Sequence, residues 1–264
     1  MIGLISGFAA IAMYLGGFMQ HLWQLRKDPQ INLRSLQLVG GIAILLHGLA
    51  MSSLLFVDNG LDLSLLKIVG LMALTITTLV FISGLKKPLH SLFLAVMPIS
   101  ALSLLAALIS PSTKAVAQMS VTMQCHVLLS VLAYSLLAIA ALQALLSGYQ
   151  NWQLKHKRQN MLMRTLPPMQ TMEVLLFEAI WAGWLFLTLS LISGFLFLND
   201  LFGQHLAHKV TFGVVAWSVY AILLWGRHRL GWRGHQAIRW SWVGFSAIFL
   251  GYIGTKVVLE FILS

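Results

Sequence analysis

The sequence predicts an all-α, polytopic transmembrane helix bundle of about eight spans, and three observations predict it. Hydrophobic residues make up 59% of the 264 and charged residues only 9%, against roughly 25% charged in a soluble chain. Apolar runs close to the roughly 20 residues that cross a bilayer recur along the chain, each closed by charge or by Gly, Pro and Asn. These runs show no strict polar/apolar alternation, and strands in lipid leave edges unpaired, so helices are the expected form.

The expected spans are Ile2 to Gln20, Leu36 to Val57, Leu63 to Gly84, Leu89 to Ile109, Val121 to Leu146, Val174 to Leu198, Lys209 to Gly226 and Ala237 to Leu263. Every second loop is basic: Arg26, Lys27 and Arg34; Lys86 and Lys87; Lys155, Lys157, Arg158 and Arg164; Arg227, Arg229 and Arg233. The other loops carry Asp58, Asp62 and Asp200, with Lys114 and the span-edge Lys67 and Lys209. The positive-inside rule then predicts a multi-pass protein of the bacterial inner (plasma) membrane with both termini periplasmic. The net charge of +10 is read as topology signal and contact with membrane lipid headgroups, not as nucleic-acid binding. The first span lacks a basic n-region and a small-residue cleavage site, so it is expected to be retained.

No loop is long enough for a separate domain, so residues 1–264 are expected to form one membrane-embedded domain. The longest loop, Tyr149 to Glu173, contains Leu166-Pro167-Pro168, which cannot stay helical, and a helix is expected to restart near Met172. Gly40, Gly41 and Gly48, and Gly244, Gly251 and Gly254, fall at near-helical spacing that lets helices approach closely. Cys125 is the single cysteine. Neither an intrachain disulfide nor a covalent C-x-x-C-H haem site is possible, so any haem is held non-covalently.

Ionisable side chains inside lipid are expensive and call for a role. His47, in the middle of its span, needs either a hydrogen-bond partner on another helix or a metal, and haem iron accepts an imidazole nitrogen. His126, Ser130 and Tyr134 follow at steps of four residues and make one polar stripe, which reads equally as a ligand site or as an interhelical hydrogen-bond seam. His205 and His208 belong to the outer loop Asn199 to His208, where spacing suits a metal but exposure is the commoner outcome. Axial haem ligands must come from different segments, leaving His47 with His126, or His126 with His208; His47 and Met51, one turn apart, cannot both serve. His21, His90, His156, His228 and His235 are expected to be solvated interfacial residues. Glu178 is expected to snorkel towards the basic face. Trp23, Trp152, Trp232 and Trp240 form an interfacial belt, and Trp181, Trp184 and Trp217 lie deeper, as packing or as the wall of a pocket. No G-x-S-x-G, P-loop or H-E-x-x-H is present, which argues against a hydrolase.

Several segments resemble a known family. Trp217-Ser218-Val219-Tyr220-Ala221-Ile222-Leu223-Leu224-Trp225, Gly231-Trp232-Arg233-Gly234, Gly244-Phe245 and Gly251-Tyr252-Ile253-Gly254 resemble the last two helices of the cytochrome c assembly proteins. His126-Val127 with Ser130 and Ala133-Tyr134-Ser135 is similar to that family's histidine-led helix. Leu166-Pro167-Pro168, Met172-Glu173 and Leu191-Ile192-Ser193-Gly194 are similar to its short YpjD-like or HemX-like branch. The resemblance covers about His47 to Gly254. It implies a haem-handling membrane protein of the CcsA/CcmC type, with a non-covalent haem b, cofactor-binding His126, His47, His208, Tyr134 and Ser130, and His126 and His47 on the iron. Other cytochrome c maturation proteins are the implied partners. The tryptophan-rich W-W-D loop of the synthases is replaced by Asn199 to His208, and the chain ends without the outer histidine, so haem binding without synthase activity is expected. Two other expectations stand beside it: a membrane transporter or divalent-cation homeostasis factor, and a HemX-like regulatory partner acting through Arg158 and Arg164.

Overall fold

The computed structural model describes residues 2–27, 33–57, 60–110, 119–157, 162–163, 165–197 and 207–254. Among them are eight α-helices: α1 (Ile2–Lys27), α2 (Leu33–Leu55), α3 (Leu65–Gly84), α4 (His90–Ile109), α5 (Val121–Lys155), α6 (Met169–Phe197), α7 (Ala207–Leu230) and α8 (His235–Phe249). A π-helical turn, Leu250–Gly254, follows α8. Seven of the helices, α1 to α7, are long and apolar enough to cross a membrane. α8 has 15 residues, about 22 Å at 1.5 Å per residue, and residues 255–263 of the expected last span lie outside the described residues. Asp58, Lys114, Arg158, Arg164, Asp200 and His205 lie outside them too.

Helix positions follow the apolar runs, although α1 runs past Gln20 to Lys27, α6 starts ahead of Val174 and α7 runs past Gly226 to Leu230, and there are two larger departures. α5 continues to Lys155 instead of ending near Leu146. No Gly or Pro interrupts Tyr149 to Lys155, and Gln, Leu and Lys carry a helix well; Lys157, at φ 51°, then turns the chain out of it. α6 begins at Met169, directly after the prolines. The second departure is a small antiparallel ribbon between α2 and α3, β1 (Phe56–Val57) with β2 (Gly60–Leu61), pairing Phe56 with Leu61 and Val57 with Gly60.

The chain divides into two compact units, residues 1–119 with 153–167, and residues 120–152 with 168–264. The first is built on α1 to α4, around Tyr14, Leu36, Met51, Met97 and Leu104, all fully buried. Lys67, expected at a span edge, is buried there with Asp62 as its ion-pair partner. The other Asp62 oxygen accepts the Ser64 N–H at 3.1 Å, one residue before α3 begins. The ion pair, the Asp62–Ser64 hydrogen bond and the ribbon thus fix where α3 starts.

The second unit packs α5 to α8 around Leu137, Ile180, Leu187, Tyr220 and Leu223. Tyr220 fits under Gly244, where a Cβ would meet its ring carbons at 2.7 Å, and donates to the Ser241 carbonyl at 3.2 Å. Close approach is thus real at Gly244, whereas none of the described residues lies within 4 Å of a Cβ at Gly48 or Gly254. Trp184 and Trp217 stack at 5.5 Å, the Trp217 indole N–H donates to Thr188 Oγ1 at 2.8 Å, and Trp184 donates to the Trp217 carbonyl at 3.2 Å. These two rings are packing, each with its polar edge satisfied; Trp181 is exposed. The carboxylate that meets the basic end is Glu173, which pairs with Arg227 and lies 3.9 Å from Arg233. Glu178, expected to snorkel towards the basic face, is exposed on α6.

Candidate functional site

Four helices converge on His47. Its imidazole is fully buried in the first unit, and Nδ1 lies 3.1 Å from the Tyr14 hydroxyl of α1. The rings meet edge to face at 5.7 Å between centroids. Tyr14 also lies beside the Thr77 hydroxyl of α3, and Thr77 contacts Ser100 of α4 at 2.6 Å while donating to the Ala73 carbonyl at 2.7 Å. A run of apolar side chains thus surrounds one continuous polar thread. Such a thread is costly in lipid unless its members satisfy one another. One atom stays out of it: Nε2 of His47 is buried without a hydrogen-bond partner among the described residues, with the Gly70 peptide beside the ring.

His126 stands in the second unit, half-buried on the first turns of α5. Its Nδ1 is 2.9 Å from Ser193 Oγ of α6, and Ser193 donates to the Ser190 carbonyl at 2.8 Å. A hydroxyl has one proton, so satisfying both contacts makes Ser193 the acceptor and His126 the Nδ1–H donor. The lone pair then sits on Nε2, which is how a second hydrogen bond selects the ring nitrogen that a metal sees. One turn on, Ser130 donates to the His126 carbonyl at 2.8 Å and meets Ser190 Oγ at 2.7 Å. The polar stripe is therefore a hydrogen-bonded seam between α5 and α6, and that seam orients an imidazole. Gly194 permits it: a Cβ there would stand 3.2 Å from His126 Cε1. Tyr134 takes no part in these bonds and packs on Tyr252 at 5.6 Å, with Lys209 Nζ 5.7 Å above the Tyr252 ring.

The sequence-predicted residues thus fall into separate groups. His47 belongs to the first unit and His126, Ser130 and Tyr134 to the second. His208 is in the first turn of α7, its side chain outside the described residues, as is all of His205. Two residues that patterning missed are Tyr14, a tyrosine inside an apolar run whose partner lies on another helix, and His21. Instead of being solvated, His21 is fully buried, with neither ring nitrogen partnered among the described residues.

The family model described as cytochrome C assembly protein matches residues 36–263. The chain is 28% identical over 266 residues to the inner membrane protein YpjD of Escherichia coli (strain K12), covering 99% of this chain and 98% of that one. An uncharacterized 28.8 kDa protein of Azospirillum brasilense is 32% identical over 140 residues, covering 52% of each chain. The cytochrome c biogenesis protein CcsA of Prochlorococcus marinus (strain NATL1A) is 33% identical over 91 residues, 34% of this chain and 29% of that one. No solved structure matches. Seven apolar helices and full-length likeness to an inner membrane protein make this a multi-pass inner-membrane protein. With its model matched along most of its length, the chain belongs to the cytochrome c assembly protein family.

Proposed function

We propose that this protein is a non-enzymatic, haem-binding component of cytochrome c assembly, with both termini periplasmic and with His47 and His126 each offering an imidazole to iron within its own unit. The observation that carries the reading is the orphaned Nε2 of His47, a buried nitrogen whose ring partner, Nδ1, is already engaged by Tyr14. A buried polar atom without a partner costs about 1–3 kcal/mol; in the tautomer whose Nδ1–H donates to the Tyr14 oxygen, the lone pair lies on Nε2, and offering it to iron removes that cost. At His126 the Nδ1–H is spent on Ser193, which puts the lone pair of the neutral ring on Nε2. The donor set suits the group: neutral imidazoles are common haem ligands, and the absence of a C-x-x-C-H motif leaves only non-covalent attachment. Bound haem supplies an iron centre that accepts these lone pairs, and the protein fixes ring orientation and excludes water.

Membership of the family and likeness to CcsA support a place in cytochrome c biogenesis, alongside other maturation proteins. The basic clusters flanking alternate spans support the proposed orientation. Absorption spectroscopy of the detergent-purified chain, titrated with haem, tests the reading. A Soret band is expected that weakens in H47A and in H126A; no band, or one indifferent to both substitutions, overturns it.

A further inference from the structure

The α7–α8 hairpin gathers fixed positive charge at one end of the second unit. Arg227, Arg229, Arg233 and Arg239 fall close together in the chain, with no lysine among them. A topology signal needs charge alone and is served equally by lysine. Arginine adds a planar fork that takes two oxygens of one phosphate. Against these four, the neighbouring length of α6 supplies Glu173 and Glu178, which leaves two positive charges in excess.

The turn between the helices is fixed in shape. Gly231 and Gly234 take φ of 66° and 53°, a region that favours glycine, and the Trp232 N–H donates to the Gly226 carbonyl at 3.1 Å. Trp232 stacks on Trp240 at 5.4 Å, which ties the turn to α8. Arg227 belongs to this framework: it pairs with Glu173, donates to the Trp232 carbonyl at 3.3 Å and lies 4.6 Å from the centre of the Phe177 ring. Arg233, its side chain 72% exposed, stands 3.9 Å from the same carboxylate. Arg229 and Arg239 are exposed and enter none of these contacts.

Both of these arginines adjoin exposed apolar surface on their own helix. On α7, Trp225 lies one turn before Arg229 and is 58% exposed; on α8, Trp242 and Val243 lie one turn after Arg239, at 38% and 49%. Residues three or four apart share a helix face, so each face presents a guanidinium with an apolar strip beside it, towards the middle of the helix. A soluble acidic protein or a free phosphate meets the charge and leaves the strip uncovered. A phospholipid covers both, its phosphate on the fork and its chain on the strip. The excess charge selects, among phospholipids, a headgroup of net negative charge.

We propose that the α7–α8 hairpin binds anionic phospholipid, with Arg229 and Arg239 as its phosphate-binding residues and Trp225, Trp242 and Val243 as the bed for its acyl chains. The site uses neither His47 nor His126 and does not rest on haem binding. Diffuse attraction of basic loops to headgroups predicts no preference of one hairpin over another loop, and that difference is what the experiment reads.

The full chain, purified in detergent, is offered phosphatidylglycerol or phosphatidylcholine with identical acyl chains, and bound lipid is counted by native mass spectrometry. Phosphatidylglycerol is expected to bind about fivefold more tightly or better, the scale set by one cation near a lipid surface, and R229Q/R239Q is expected to lose that preference. K86Q/K87Q removes the same charge from the loop between α3 and α4 and is expected to keep it. Equal affinity for the two lipids overturns the site, and so does equal loss in K86Q/K87Q. Displacement by inorganic phosphate or by poly-glutamate at equal charge concentration assigns the face to a free anion or an acidic protein, and overturns a lipid there. All four substituted residues are exposed, and an unfolding midpoint equal to that of the wild type checks that each variant folds.

Discussion

Ser193 accepts a hydrogen bond from His126 Nδ1 while giving its own proton to the Ser190 carbonyl. A hydroxyl with one proton thereby sets the tautomer of an imidazole on the neighbouring helix. Removing it in S193A frees the ring to rotate and to move its proton to the other nitrogen. Losing a partner that orients a metal ligand typically costs 10–100-fold in affinity. Haem titration of S193A is therefore expected to show about tenfold weaker binding, with S193T close to wild type. Equal affinity in all three would show that Ser193 does not orient His126 for a ligand.

Tyr14 and His47 make the corresponding pair in the first unit. Y14F keeps the ring and removes the hydroxyl, stranding a second nitrogen of a buried imidazole, at a cost of about 1–3 kcal/mol. Thermal unfolding in detergent should show a lowered midpoint in Y14F and a partial recovery in the double variant Y14F/H47L, where nothing polar is left to strand. A double variant no more stable than Y14F would show that the hydroxyl acts elsewhere.

Asp62 and Lys67 form a buried ion pair at the start of α3. Breaking such a pair from one side costs about 3–5 kcal/mol, because a charge stays behind without its counterion, whereas replacing both by apolar groups is often close to neutral. K67M should unfold at markedly lower temperature than wild type, and D62L/K67M should regain much of the difference. If K67M unfolds with wild-type behaviour, the pair does not hold this end of the unit.

Gly244 lies against the Tyr220 ring at a separation that a methyl group cannot share. G244A forces the buried tyrosine or its helix to shift, and overpacking of this kind costs about 1–3 kcal/mol. Shortening the neighbour in G244A/Y220L should return part of the stability, read again as an unfolding midpoint. Were G244A alone to leave the midpoint unchanged, α7 and α8 would not be locked at this contact.

Most of the helical architecture was legible because lipid enforces it: a span must be apolar, of a set length, and closed by charge or turn residues. That is why α3 and α4 begin within two residues of the expected positions. Chemistry was legible only as residue type. His47 and His126 stood out as imidazoles in oil, yet Tyr14, Ser190 and Ser193 did not, because a hydroxyl inside an apolar run gains meaning only from the helix it faces. The same blindness misplaced His21, whose basic neighbours in sequence suggested solvent, and passed over Glu173, which pairs with Arg227. The continuation of α5 was missed because a basic, polar segment can be helical as readily as looped.

The family match opens at residue 36, but the hydroxyl that engages His47 comes from α1, ahead of that boundary. The leading helix is therefore no mere anchor appended to a conserved body; it completes the environment of an imidazole that the matched region carries but cannot satisfy alone. A protein trimmed to the matched segment would expose that ring to lipid on one side, so the smallest piece worth purifying for ligand studies begins with α1.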